Sequence, residues 1–181
     1  MDDNFFMNQA FLEAKKAFDL KEVPIGCVIT IPKASIVKKN ELSNHNIFKE
    51  PTNDNLNISN QIIIGKGFNM RNTLGNTLKH AELIAINEAC EKLNDWRLEN
   101  CTIYVTVEPC AMCAGAILQA RIPRLVFGAK NAKAGCAGSV LNILQNDSFN
   151  HKVNISQLME KECGELMSSF FNLLRGVSKS Y

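Results

Sequence analysis

The chain has 181 residues, 46% of them apolar, and a formal net charge of +2. That suits one domain, 1–181, with its own core; no run approaches transmembrane length, and so mild a charge neither demands nor excludes nucleic acid. Seven cysteines, an odd number in a chain this size, imply no disulfide framework.

From the start, Met1-Asp2-Asp3-Asn4 lacks a basic region leading into an apolar stretch, so the expected compartment is a reducing cytoplasm. Phe5 to Asp19 places Phe6, Ala10, Phe11, Ala14, Ala17 and Phe18 at helical spacing. Val23 to Ile31 and Gln61 to Phe68 read as strands. Between them, about 32–60 is a polar, Asn-rich insertion with few large apolar residues. It cannot bury enough apolar area to offset ordering, so a surface excursion is expected, with His45 solvated. His80 precedes a periodic run of Leu83, Ile84, Ile86, Ala89 and Leu93, an amphipathic helix. Trp96 reads as a packing residue after it.

Thr102 to Val107 is a β-branched strand, Ala111 to Arg121 a helix and Leu125 to Gly128 a strand. A single helix between two strands suits a parallel crossover. A short strand near Val153 to Ile155 and a closing helix from Gln157 to Arg175 complete the set. The alternation predicts a three-layer α/β/α architecture with a five-stranded sheet. Cys27, Cys101 and Cys90 are expected as buried thiols.

Chemistry concentrates in two short words, His80-Ala81-Glu82 and Pro109-Cys110-Ala111-Met112-Cys113. They offer three zinc ligands, His80, Cys110 and Cys113, and one spare carboxylate, Glu82. Structural zinc sites close with four protein ligands, whereas catalytic sites keep a position open for water. Pro109 suits a first helical turn, and Cys110 and Cys113 share a helix face. A helix N-terminus favours the thiolate. His80 and Glu82, two apart, belong at a helix entrance, since they cannot share a face within one. A closed structural site would need a fourth ligand, and Cys27, Cys90, Cys101, Cys136 and Cys163 are formally available. A redox pair is the other reading of CxxC. The upstream His-x-Glu argues against it.

These residues resemble the H-x-E and P-C-x-x-C signature of the cytidine and nucleotide deaminase superfamily. Val23-Pro24-Ile25-Gly26, Gly67-Phe68-Asn69, Lys79 to Ile84 and Val105 to Cys110 are similar to the tRNA adenosine deaminases. So are Ala120-Arg121-Ile122, Val126 to Ala129, Gly138-Ser139 and Asn150-His151-Lys152. The resemblance implies a cytidine-deaminase-like fold with a mixed sheet and one zinc ion per subunit. It also implies hydrolysis of adenosine to inosine at the first anticodon (wobble) position of a tRNA. Glu82 would shuttle protons, and the expected partners are a tRNA anticodon loop and a second copy of the chain.

By the same resemblance Asn69 and Ala81 face the target base; a turn residue is the alternative for Asn69. Asn131 and Lys133 match a loop near the RNA backbone, where many bacterial relatives carry Asp in place of Asn131. Asn can still accept from a ribose hydroxyl but lacks the charge, which leaves the preference for RNA over DNA open. Asn150 matches the nucleotide-binding surface, or caps a turn. Phe170 and Phe171 are candidates for base stacking; being adjacent, one should pack inside. Arg71, Lys79, Arg121, Lys130, Lys133, Lys152, Arg175 and Lys179 could build a basic face, with at most half meeting phosphate.

Two other functions remain on the sequence. A deaminase of a free base or nucleoside, such as guanine or cytosine, would share every zinc residue. A non-catalytic, zinc-containing RNA-binding subunit would typically lack the acid that Glu82 supplies.

Overall fold

Strands whose residues are buried on both faces need a layer of helices on each side. Strands β1 (Gly26–Pro32), β3 (Thr102–Val107) and β4 (Arg124–Ala129) bury almost every residue. The computed structural model describes residues 3–36 and 60–177. With β2 (Gln61–Phe68) and β5 (Asn154–Gln157) they form one sheet of five strands in the order β2-β1-β3-β4-β5. β1 runs antiparallel to β2 and β3, while β3, β4 and β5 run parallel, so the sheet is mixed as expected.

Alternation sends neighbouring residues to opposite layers. Ile29, Ile103, Val105, Leu125 and Phe127 face a core with Ala81, Ala85 and Ala89 of α2 (Ala81–Leu93) and Ala114 and Ile117 of α3 (Ala111–Gln119). Val28, Ile63, Tyr104 and Val126 face the other core, with Phe6, Met7 and Ala10 of α1 (Asp3–Asp19) and Cys163 of α4 (Glu160–Val177). Asp3 fastens α1 to the sheet: its carboxylate accepts two hydrogen bonds from Arg124, at 2.9 and 2.8 Å, and one from the Tyr104 hydroxyl at 2.8 Å. The Arg124 guanidinium holds the Asp3 carboxyl below its ordinary value.

Several boundaries differ from the sequence reading. β1 starts at Gly26 rather than Val23, because Ile25 N–H donates to Val23 O within a tight turn. β5 extends to Gln157, and the last helix begins only at Glu160, after Met159 takes a left-handed φ of 59°. Trp96 is not a packing residue: it is 58% exposed, with the Arg97 guanidinium 5.4 Å from its ring centroid. Cys27 and Cys101 are buried, but Cys90 is half-buried. Lys33 N–H donates to Asn60 O at 2.9 Å, so the insertion leaves and rejoins the β1–β2 pair at one place. Residues 37–59 of the expected insertion, His45 among them, and Lys179 lie outside the described residues.

α2 lies against β2 so closely that only glycine fits beneath it. A Cβ on Gly65 would stand 2.2 Å from Ala85 O, and one on Gly67 would stand 2.2 Å from Ala81 O. Neither obstacle is a side chain that can swing away. We expect Gly65→Ala and Gly67→Ala each to destabilise by about 1–3 kcal/mol in urea denaturation. Gly164→Ala in α4 meets nothing within 4 Å. It should be neutral or stabilise by roughly 0.5–1 kcal/mol.

Candidate active site

Two helix entrances converge. His80 is the N-cap of α2, with φ −77° and ψ 149°, and Cys110 is the N-cap of α3, with φ −74° and ψ 174°. Neither side chain caps its own helix, so both are available to each other. Cys113 follows one turn later, fully buried. The His80 Nδ1 lies 3.7 Å from Cys110 Sγ and 3.5 Å from Cys113 Sγ. The donor atoms of these three residues all fall within 4.8 Å of one another, and among the described residues no fourth side chain joins them. Two sulfurs and an imidazole are a donor set suited to zinc.

The local electrostatics fit a ligand role. A hydrogen bond from the Cys113 thiol, then one with His80, pulls the Cys110 thiol down to about 4 against its burial. Cys113 is pushed far up, first by its bond to Cys110 and then by burial, because a second thiolate there is resisted. A divalent cation would relieve that repulsion.

Glu82, in the first turn of α2, is 3% exposed, and its Oε2 is buried with no hydrogen-bond partner. Burial raises its carboxyl above the ordinary value. A buried acceptor without a donor costs roughly 1–3 kcal/mol, so it marks a place where something else is meant to bind.

The family model of the MafB19-like deaminases matches residues 1–175. A tRNA-specific adenosine deaminase of Bacillus subtilis is 40% identical over 179 residues, covering 98% of this chain and 94% of its own. One from Aquifex aeolicus is 37% identical over 175 residues, covering 97% of both. This chain belongs to the tRNA-specific adenosine deaminase family. A solved chain from work on A-to-I editing by tRNA:A34 deaminases at the wobble position of transfer RNA superposes with a TM-score of 0.71. It shares 31% identity, covering 90% of this chain and 99% of its own. A guanine deaminase from Nitrosomonas europaea shares the fold at a TM-score of 0.66, with 15% identity.

Within the deaminase, the other sequence candidates separate. Asn69 is 5% exposed, two residues past Gly67, whose Cα abuts Ala81 between His80 and Glu82. Its Nδ2 donates to Glu22 Oε2 at 3.0 Å. Ala81 is fully buried. Asn131 does not present a free side-chain oxygen: Oδ1 accepts from Lys133 N–H at 3.3 Å and Ala134 N–H at 3.1 Å, closing its own turn. Lys133 and Asn150 are exposed. Phe170, a candidate for base stacking, is instead core: it is 4% exposed and meets the Phe18 ring edge-on at 5.8 Å. Only Phe171 of the pair offers a ring to solvent.

Glu108 escaped the sequence reading. It is 2% exposed, immediately before Pro109. Its Oε2 accepts from Asn131 N–H at 3.0 Å, and its Oε1 from Ala137 at 2.9 Å and Ser139 at 3.0 Å. Burial pushes the carboxyl up, but hydrogen bonds from Ser139, Asn131 and Ala137 outweigh it and hold the group below its ordinary value. Glu108 thus ties loop 131–139 to the residues that carry Cys110. Cys136 N–H, donating to Pro109 O at 2.8 Å, adds a second tie. The available signal was an acid directly after a β-branched strand and before Pro109. In Glu108→Gln one acceptor becomes a donor facing backbone N–H groups. Amide exchange at Ala137 and Ser139 should accelerate by about tenfold or more, with the secondary structure unchanged by circular dichroism.

Proposed function

We propose that the protein converts adenosine to inosine at the first anticodon position of a tRNA, with zinc held by His80, Cys110 and Cys113. The observation that carries this reading is the unpartnered, buried Glu82 oxygen beside a three-donor metal group. Its setting in a chain 40% identical to a tRNA-specific adenosine deaminase gives it a substrate. When bound, zinc lowers the pKa of water to roughly 7 and so makes an attacking oxygen available at neutral pH.

The protein's own groups do the rest. Glu82 takes the proton released from the water and passes it to N1 of the adenine. The water oxygen bonds to C6, and Glu82 then carries the proton remaining on that oxygen to the amino group, which leaves as ammonia as the C6–N bond breaks. Burial suits it to both tasks, since a carboxyl raised toward neutrality can give a proton as well as take one. Asn69 and the Ala81 backbone hold the base, which must leave its stack to reach the site; anticodon loop bases unstack cheaply.

Phe171 supplies an exposed ring for a flanking base. Exposed Arg71, Lys130 and Lys133 serve the phosphates. Asn150 lies exposed in the loop before β5, open to a nucleotide. We read residues 1–181 as one deaminase domain with a polar insertion at about 32–60, acting as a homodimer. The open side of α3, where a Cβ added at Gly115 would meet nothing within 4 Å, suits a close helix-to-helix contact. No helix among the described residues is long and apolar enough to cross a membrane. A tRNA substrate fits the cytoplasm.

The test is inosine formation by zinc-loaded protein on an anticodon stem-loop with adenosine at its first anticodon position. Free adenine, guanine and cytosine run in parallel. Conversion of the stem-loop alone is expected; turnover of a free base at a matching rate would overturn the substrate. A chelator should abolish activity and zinc should restore it. Glu82→Gln should lower turnover by about 10²–10⁴-fold while keeping its zinc, measured by metal analysis of the purified variant.

A further inference from the structure

A carboxylate that is 0% exposed and lies away from the metal group has to answer for its burial. Glu22 is such a residue. It sits just past α1, where Lys21 takes a left-handed φ of 59°. Lys21 N–H donates to Phe18 O and Glu22 N–H to Ala17 O, each at 2.9 Å, which closes the helix. That turn aims the Glu22 side chain across the fold at the end of β2. Oε2 accepts from Asn69 Nδ2 at 3.0 Å, and Oε1 accepts from the Thr73 backbone N–H.

The backbone there is fixed independently. Asn69 N–H donates to Ile25 O at 3.0 Å, and Met70 N–H to Lys79 O at 2.9 Å. Loop 70–79 is therefore pinned at both ends without Glu22. What Glu22 alone decides is the sense of the Asn69 amide. An amide can turn by a half-circle and exchange donor for acceptor, whereas an ionised carboxylate only accepts. Facing Glu22, Asn69 must point Nδ2 at it. The second Nδ2 hydrogen and Oδ1 then have one assignment, not two.

We propose that Glu22 is a positioning residue that sets the donor and acceptor sense in which Asn69 meets the target base. This rests on the deaminase reading above, in which Asn69 holds the base. A site committed to one hydrogen-bond sense rejects a mismatched edge strongly, because the mismatch leaves buried groups unpaired. Glu22 therefore contributes to selection for adenine without touching it.

Glu22→Gln isolates this role. The new amide keeps an oxygen for Thr73 N–H and turns its NH₂ toward Asn69, which satisfies the pair by reversing. No hydrogen bond need be lost, yet the sense offered to the base is inverted.

The experiment is a double-mutant cycle of E22Q and N69A on the zinc-loaded protein, with kcat and KM measured on the adenosine stem-loop. E22Q alone should lower kcat/KM by about tenfold to a hundredfold, with zinc content and melting temperature near the parent's. In the N69A background E22Q should change kcat/KM by less than about twofold, since no amide remains to orient. Equal losses in both backgrounds would overturn the proposal, as would an E22Q protein as active as the parent. Should E22Q not fold, E22D takes its place in the cycle: one methylene shorter, it withdraws the acceptor from Asn69 and frees the amide to turn, so kcat/KM should again fall in the parent background and not in N69A, and equal losses in both would overturn the proposal. An unmutated protein that leaves the stem-loop unchanged would sink the deaminase reading itself. A parent active on the stem-loop with an additive cycle sinks only the role of Glu22.

Discussion

The spacing between α2 and β2 governs what the rest of the molecule can do. Gly65 and Gly67 let the backbone of α2 ride directly on the strand, closer than any side chain would allow. That approach brings the start of α2 to the sheet's edge of chemistry, where α3 starts from the end of β3. His80 and Cys110 occupy matching N-cap positions, and Cys113 lies one turn inside. The metal group is thus a product of backbone packing. No loop needs to fold over to assemble it, and no long side chain needs to be frozen to reach it.

The second constraint is the parallel step from β3 through α3 to β4. Parallel strands require a crossover, and the crossover helix carries both cysteines. Because β4 runs alongside β3, the chain leaves β4 at the same end of the sheet, next to Glu108. Loop 131–139 then runs beside Glu108 and Pro109. Its backbone N–H groups converge on the Glu108 carboxylate, which holds it there. The start of α3 and loop 131–139 are therefore fastened through the Glu108 carboxylate and through the Cys136 N–H bond to Pro109 O.

Much of this was legible in the sequence because it is local. β2 and β3 have the predicted bounds, and α2 and α3 begin directly after His80 and Cys110, although Pro109, expected in the first helical turn, stands before the N-cap Cys110 instead. The metal group was legible although its members stand 30 and 33 residues apart, because each ligand brings its own short word. What was hidden lies in pairs with no word of their own. Glu22 reaches Asn69 across 47 residues, and neither residue's neighbours predict the other. Asn131 matches a loop near the RNA backbone, with its oxygen expected free for a ribose hydroxyl, yet that oxygen is used by its own turn, a choice that sequence spacing does not decide. The adjacency of Phe170 and Phe171 required one to pack inside but not which; α1 settles it by placing Phe18 beside Phe170.

Three buried acids show how environment separates position from chemistry. Glu22, Glu82 and Glu108 are each 3% exposed or less. Glu108 fills both oxygens with backbone donors, so its charge is stabilised and its carboxyl sits low. It is chemically inert and mechanically useful. Glu22 likewise has a donor on each oxygen, one from a backbone and one from an amide that can turn. Both of its oxygens are therefore occupied within the fold. Glu82 alone keeps an oxygen empty, and burial without full compensation pushes its carboxyl up. An acid in that condition is destabilised until a proton or a substrate reaches it. The same residue type thus stands in three different settings, and the number and kind of donors each one meets is what distinguishes them.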